Sequence, residues 1–122
     1  MFTCTVLHAA PSPEFVQRRG LITRDQALDL VRTFPFEAEV RKHQRDRDLT
    51  VPTITLAAID HDAEFTVWSA DPDRYIVWIP SLFALAEDIR GRTEVLEVLA
   101  LFCDGDWEEL EERMGEIRTK YA

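Results

Sequence analysis

The chain has few of the residues on which common catalytic and metal-binding motifs depend. Only four of its 122 residues are glycine and two are cysteine. The sequence contains no glycine-rich phosphate loop and no Gly-x-Ser-x-Gly elbow. Cys4 and Cys103 lie far apart, without the Cys-x-x-Cys or Cys/His spacing of a zinc site. We therefore expect two free, buried thiols, and we expect no metal, no cofactor and no enzymatic activity.

Long apolar runs are also missing. No stretch approaches the roughly 20 apolar residues of a membrane span, and residues 1–10 carry no basic leader. The composition, with 46% apolar and 30% charged residues, is typical of a globular protein. We expect a single domain over residues 1–122, without membrane contact, in the cytoplasm, where thiols stay reduced.

Positive charge is scarce in the second part of the chain. Residues 1–50 contain eight Lys or Arg against seven Asp or Glu, whereas residues 51–122 contain six against sixteen. The formal net charge of −9 repels nucleic acid and anionic lipid, and it attracts basic proteins. We therefore expect a protein partner and no binding of nucleic acid.

The N-terminal half predicts mainly helix. Residues 14–19 indicate one helical turn, which ends at Gly20. Thr23 and Gln26 have the spacing of a capping box, which predicts the start of a longer helix. Pro35 pushes its preceding residue out of helical geometry, so Phe34 marks an end or a kink of this helix, and a second helix is expected from Phe36 to about Arg45.

The middle of the chain predicts strands. Residues 53–59, 64–69 and 74–79 are rich in β-branched and aromatic residues with period-two alternation. Asp-containing turns separate them, which predicts a three-stranded antiparallel meander. Residues 2–7 predict an edge strand. Apolar side chains occur on both faces of the meander, so we expect helices to cover one face.

The last third predicts two more helices. Residues 81–89 fit either a fourth strand or a short helix, and the helix is favoured. Thr93 can cap the next helix, and Asp106 with Glu109 has capping-box spacing at the start of the last one. The predicted fold is α+β, with a three- or four-stranded antiparallel sheet, N-terminal helices and two C-terminal helices packed mainly on one face.

Two short motifs contain groups that bind metals or transfer protons. Asp60, His61 and Asp62 combine imidazole with carboxylates, but consecutive residues converge poorly on one ion, and a polar turn explains them better. The residues from Asp104 to Asp106 lack the ligand spacing of a calcium loop, so helix capping is the better explanation. A small metal-dependent hydrolase is the least favoured alternative.

The acidic residues are the best candidates for contact with a partner. A solvated helix face is the simpler explanation of such a run, but carboxylates facing a basic protein, with an exposed aromatic anchor, would also explain it. The candidates are Asp104, Asp106, Trp107, Glu108, Glu109, Glu111 and Glu112, with Asp60, Asp62, Asp71 and Asp73 in the hairpin turns as a second group.

The aromatic residues of the meander support another interpretation. Trp68, Ile76 and Trp78 would lie on the sheet, where they could line a small-molecule pocket or a homodimer contact. Each tryptophan is more often a core residue. A small-molecule-binding or homodimerising module is therefore the main alternative to a partner-binding protein.

The order of elements resembles the small immunity proteins that bacteria keep beside polymorphic or contact-dependent toxins. Three segments carry this resemblance: residues 21–28 (LITRDQAL), the meander over residues 53–79, and residues 100–107 (ALFCDGDW). The resemblance implies a non-enzymatic inhibitor that binds a cognate toxin domain and blocks its active site or substrate groove. It also implies an acidic surface that faces a basic toxin, without indicating which residues make the contact.

Overall fold

A computed structural model describes residues 1–122 as six strands and four helices. The strands are β1 (Phe2–Leu7), β2 (Gln17–Ile22), β3 (Thr53–Ala58), β4 (Ala63–Asp71), β5 (Arg74–Ile79) and β6 (Ala84–Ile89). The helices are α1 (Arg24–Thr33), α2 (Phe36–Arg45), α3 (Arg92–Asp104) and α4 (Trp107–Lys120). Short 3-10 turns occur at Pro13–Phe15 and Pro80–Leu82.

All six strands form one antiparallel sheet in the order β2-β1-β3-β4-β5-β6. The predicted α+β class is confirmed, but the predicted sheet of three or four strands is wrong. The meander is present as β3, β4 and β5. Because β1 pairs with both β2 and β3, it is an interior strand and not the predicted edge strand.

The first missed strand is β2, where a helical turn was predicted. Only the 3-10 turn Pro13–Phe15 is helical, and β2 follows as an edge strand whose residues are nearly all exposed. A strand that buries neither face has no apolar alternation, so its sequence lacks the period-two signal. Gly20, at φ 74°, lies where the register with β1 shifts, and glycine adopts this left-handed conformation without steric cost.

The second missed strand is β6, where residues 81–89 favoured a helix. Its buried residues Ala84, Ala86 and Ile89 mix two- and three-residue spacings. The register with β5 shifts along this strand, and Asp88 has a φ of 58°. An irregularity of this kind adds one residue to the spacing, so a strand imitates part of a helical pattern.

The helices cover one face of the sheet, as predicted. Buried side chains alternate along the interior strands, for example Ile54 and Leu56 in β3 and Phe65 and Val67 in β4. Together with residues from all four helices they form a hydrophobic core of 24 buried residues. Side chains on the other face of these two strands stay at least partly exposed.

The ends of α1 agree with the sequence. The Thr23 hydroxyl accepts a hydrogen bond from the Gln26 backbone N–H at 3.2 Å, and the Thr23 N–H donates to Gln26 Oε1 at 2.8 Å. This is the predicted capping box. α1 ends at Thr33, just before Pro35, and α2 begins directly after the proline.

The predicted caps of α3 and α4 are wrong in detail. α3 has Gly91 at its N-cap and no side-chain cap, so Thr93 does not cap it. Asp106 occupies the N-cap position of α4 but makes no capping hydrogen bond with its side chain. The C-terminal end of α3 is capped by Gly105, which has a φ of 69° and donates its N–H to the Phe102 carbonyl at 3.1 Å.

None of the four helices has both the length and the apolar composition that a membrane span requires. Both cysteines are free thiols, with Cys4 buried and Cys103 partly buried. Burial raises the pKa of both thiols, and that of Cys103 rises to about 11. The thiolate form, which is the nucleophile in cysteine chemistry, is therefore disfavoured at both positions.

Candidate protein-binding surface

The two hairpin turns that carry predicted contact residues lie at opposite ends of β4. Asp60 and Asp62 precede this strand, whereas Asp71 and Asp73 lie at its far end. A nine-residue strand spans roughly 26 Å. All four side chains are exposed, but the two turns do not form one acidic patch.

The β3–β4 turn lies beside the start of α4. The His61 ring packs edge-on against Trp107, with 5.9 Å between the ring centroids. Trp107 also packs against Phe102 of the core, at 5.6 Å. Trp107 is partly buried against the core, so it joins the turn to α3 and offers only part of its ring to a partner.

Asp104 is held in an ion pair that joins the end of α3 to the start of α1. Arg24 Nε and Nη2 lie 2.6 and 3.2 Å from the two Asp104 carboxylate oxygens. The hydrogen bond and the charge of Asp104 raise the pKa of Arg24. Arg24 also lies 3.5 Å from Asp25, so Asp104 is paired within the protein but shares its guanidinium with a second carboxylate.

The carboxylates of α4 divide between two sides of the helix. Glu109 and Glu112 face a groove between α3 and α4, whereas Glu108 and Glu111 line neither this groove nor the one between α1 and α3. A hydrogen bond to the carboxyl of Asp106, and its negative charge, raise the pKa of Glu109. Only part of the predicted acidic group therefore faces a concave surface.

The first groove lies between α1 and α3 and has a volume of about 770 Å³. Its apolar lining comes from Leu28, Leu96 and Ala100. Asp25 and Asp29 lie on the α1 side. This groove is therefore apolar at its base and acidic along one helix.

The second groove lies between α3 and α4 and has a volume of about 480 Å³. Glu97 and Ala100 line both grooves, so the two clefts run side by side along α3. We call Leu28, Leu96, Ala100 and Leu101 the apolar floor, and Asp25, Asp29, Glu97, Glu109, Glu112 and Glu116 the acidic rim. Floor and rim together are the helical surface.

The rim keeps an excess of negative charge after its internal ion pairs are considered. Arg32 pairs with Asp29, and Arg113 pairs with both Glu97 and Glu116. These two arginines are the only basic residues that line the grooves. Arg24 of α1 lines neither groove but lies 3.5 Å from Asp25, so six carboxylates meet three guanidinium groups.

The outer face of α3 mixes apolar and charged side chains. Val95, Leu99 and Phe102 are buried against the sheet and the neighbouring helices, and Leu96 and Leu101 pack against the edge of the same core while they stay partly exposed. Glu97, which is exposed, lies between these two leucines. The apolar floor is therefore narrow, and it is interrupted by one carboxylate.

Similarity to known proteins does not identify this surface. No family model, no curated protein and no solved structure matches the chain.

The other candidate groups line two smaller depressions beside the β3–β4 turn. One of about 230 Å³ includes Asp60 and His61, and one of about 360 Å³ includes His61, Asp62 and Glu64. No cluster of three or more His, Cys, Asp or Glu side chains is placed to hold a metal ion, so the turn at His61 gives the hydrolase alternative no geometric support.

The buried carboxylate of Glu39 contacts His8. Its second oxygen lies 3.0 Å from Lys42 Nζ, outside hydrogen-bonding geometry. This pair holds α2 against the end of β1.

The open face of the sheet carries the aromatic residues of the main alternative. Trp68 and Ile76 are register partners, and Trp78 pairs with Thr66 on the neighbouring strand. All four side chains are partly exposed. This arrangement provides an exposed apolar area but no deep cavity.

Sequence reasoning missed several residues of the helical surface. In the sequence, three of these residues look like ordinary solvated positions: Asp25, Asp29 and Glu97. Only the packing of α1 against α3 brings them to one groove, and no local pattern records this packing. A signal for the floor was present. The buried apolar stripe of α3 consists of Val95, Val98, Leu99 and Phe102. Leu96 and Leu101 are further apolar residues of this helix that lie outside the buried stripe.

Proposed function

We propose that this protein is a non-enzymatic binding protein that neutralises a basic bacterial toxin domain through its helical surface. The apolar floor framed by the acidic rim supports this proposal most strongly. Desolvated apolar contacts set the lifetime of a complex, whereas rim charges accelerate encounter and select a partner of opposite charge. The helical surface combines both kinds of contact.

The toxin class rests on the resemblance in element order to bacterial immunity proteins. An inhibitor of this type works by complementarity: it covers a cationic active site or substrate groove and needs no chemistry of its own. Its place of action is the cytoplasm, where it protects the cell that makes the toxin.

The proposal is tested with the toxin domain encoded beside this chain. Affinity for that domain and protection of cells that express it are measured for two variants. Leu96→Lys lies on the floor, and Leu85→Lys lies on the open sheet face, where Leu85 is the partly exposed register partner of Trp78. Leu96→Lys is expected to weaken binding about tenfold or more and to abolish protection, whereas Leu85→Lys retains both. Equal loss in the two variants, or a neighbouring gene that encodes no toxin, contradicts the proposal.

The open sheet face favours homodimerisation as a second candidate function. Trp68, Ile76 and Trp78 form a partly exposed apolar cluster on adjacent strands, and such clusters often mark protein contacts. Sedimentation equilibrium of the wild type and of Trp78→Lys tests it. A dimer that dissociates in the variant supports this candidate, and a monomeric wild type at high concentration excludes it.

A further inference from the structure

We propose that the segment of the partner that enters the helical surface is a basic amphipathic helix lying along α3. This inference rests on the proposed function and names the structural element that is recognised. Three properties of the surface lead to it: the way its backbone groups are bonded, the position of Ala100, and the distribution of charge around the floor.

Backbone hydrogen bonding favours a helix over a strand or a loop. α1, α3 and α4 use their backbone groups within the helices, so their outer faces present side chains only. A strand buried on the floor would lose water from its N–H and C=O groups without gaining hydrogen-bond partners, which is unfavourable for each group. A helix pairs these groups internally and avoids that cost.

The position of Ala100 favours close helix packing. Ala100 lines both grooves, and its methyl group is the smallest side chain of the apolar floor. A partner helix can therefore approach α3 closely and place large apolar side chains in the first groove beside Leu28 and Leu96. The ion pair of Arg113 with Glu97 crosses the second groove, which leaves that groove to polar contacts. The 13 residues of α3 span about 20 Å, so a partner helix of similar length covers the floor.

The charge distribution fixes the sequence pattern of the partner helix. Asp25 and Asp29 border the floor on the α1 side, and Glu109, Glu112 and Glu116 border it on the α4 side. A complementary helix carries one apolar stripe at spacings of three and four residues, flanked on both sides by Lys or Arg.

Two designed peptides of about 18 residues, long enough to cover α3, test this inference. Both consist of leucine and lysine in the same proportions. In the first, leucines form one helical stripe, whereas in the second they are spread evenly around the helix. Each is titrated into the isotope-labelled full chain at physiological salt while backbone amide shifts are recorded. Only the striped peptide is expected to saturate, with shifts concentrated in α1, α3 and α4.

Matched variants locate the binding. Ala100→Trp fills the junction of the grooves, and Ala38→Trp makes the same change at an exposed position of α2. We expect Ala100→Trp to weaken binding of the striped peptide about tenfold and Ala38→Trp to leave it unchanged. Equal effects of the two variants overturn the inference.

The peptide outcomes separate this inference from the proposed function. If the two peptides bind with equal affinity and shift amides of the helical surface, the proposal that the bound segment is an amphipathic helix is wrong. The proposal of a basic partner is then still supported. If both peptides shift only amides outside the helical surface, the proposal of a bound helix is wrong. The helical surface is then also not the binding site in the proposed function.

Discussion

Arg113 bridges α4 to α3 through Glu97, with its Nε and Nη2 at 3.0 and 2.9 Å from the same carboxylate oxygen. Its Nη1 also lies 3.2 Å from Glu116 Oε2. Arg113 is therefore the positive group that limits the negative potential of the second groove. The hydrogen bonds to Glu97 and Glu116 raise the pKa of Arg113, so this group stays charged throughout the physiological range.

Removing the charge of Arg113 is expected to accelerate encounter with a basic partner. Arg113→Gln leaves Glu97 and Glu116 uncompensated, and the association rate at low salt is expected to rise about threefold. Arg118→Gln is the matched control, since Arg118 forms no ion pair and lines neither groove. Stopped-flow association measures both variants, and equal rates for them contradict the expected role of the groove.

Arg92 is predicted to stabilise the contact of α3 with α1, α2 and β5. Its guanidinium donates to both carboxylate oxygens of Glu37, at 2.9 and 3.0 Å, and to the Arg32 carbonyl at 2.7 Å. It also lies 5.3 Å from the ring centroid of Phe36. Lysine offers neither the planar fork nor the stacking, so Arg92→Lys is expected to lower the free energy of unfolding by about 1–2 kcal/mol.

The exposed Arg90 provides the control for Arg92. Urea unfolding of Arg90→Lys is expected to match that of the wild type, since surface substitutions change stability by less than about 0.5 kcal/mol. A loss of stability in Arg90→Lys as large as in Arg92→Lys shows that the hydrogen-bonding network is not the cause.

Phe83 combines backbone strain with exposure. Its φ is 49°, and 86% of its surface is exposed. The left-handed conformation costs a residue with a side chain about 1–2 kcal/mol. Glycine avoids this steric cost but loses more backbone entropy on folding, so the net gain from a glycine is roughly half of it. Phe83→Gly is therefore expected to raise the free energy of unfolding in urea by about 0.5 kcal/mol. A destabilised variant would mean that the Phe83 ring makes a stabilising contact.

Stability is expected to fall at alkaline pH partly because of Cys103. Burial raises the pKa of this thiol from its ordinary value of 9.0 to about 11. The folded state holds this proton more tightly than the unfolded state, so the stability it contributes is complete below pH 9 and is lost as the pH rises through about 11. Urea unfolding between these values is expected to show a steeper loss in the wild type than in Cys103→Ala. Parallel pH profiles of stability for the two proteins would show that the Cys103 thiol does not cause this loss.

Local sequence patterns predicted the elements that bury one regular face. β3, β4 and β5 alternate in period two because each has one side in the core, and the capping box at Thr23 depends only on residues three positions apart. β2 could not be found in this way, since it buries neither face. In β6 an irregular register disguised the strand. Such features depend on pairing with a distant strand, which no local pattern records.

The candidate surface was predictable in its charge but not in its location. The acidic composition of α4 is visible in the sequence, and Glu109 and Glu112 do lie on the acidic rim. The sequence did not show that Asp104 is paired with Arg24, nor that Asp25 faces the same surface as the α4 carboxylates. Both facts follow from the packing of α1 and α4 on either side of α3.

The association rate with the basic toxin domain, measured as a function of salt, tests the central claim most directly. Glu109→Lys with Glu112→Lys reverses two charges on the acidic rim, and Glu108→Lys with Glu111→Lys makes the same change on α4 outside both grooves. The first pair is expected to slow association at low salt about tenfold more than the second, and this difference should shrink at high salt. Equal slowing by the two pairs would contradict the assignment of binding to the helical surface.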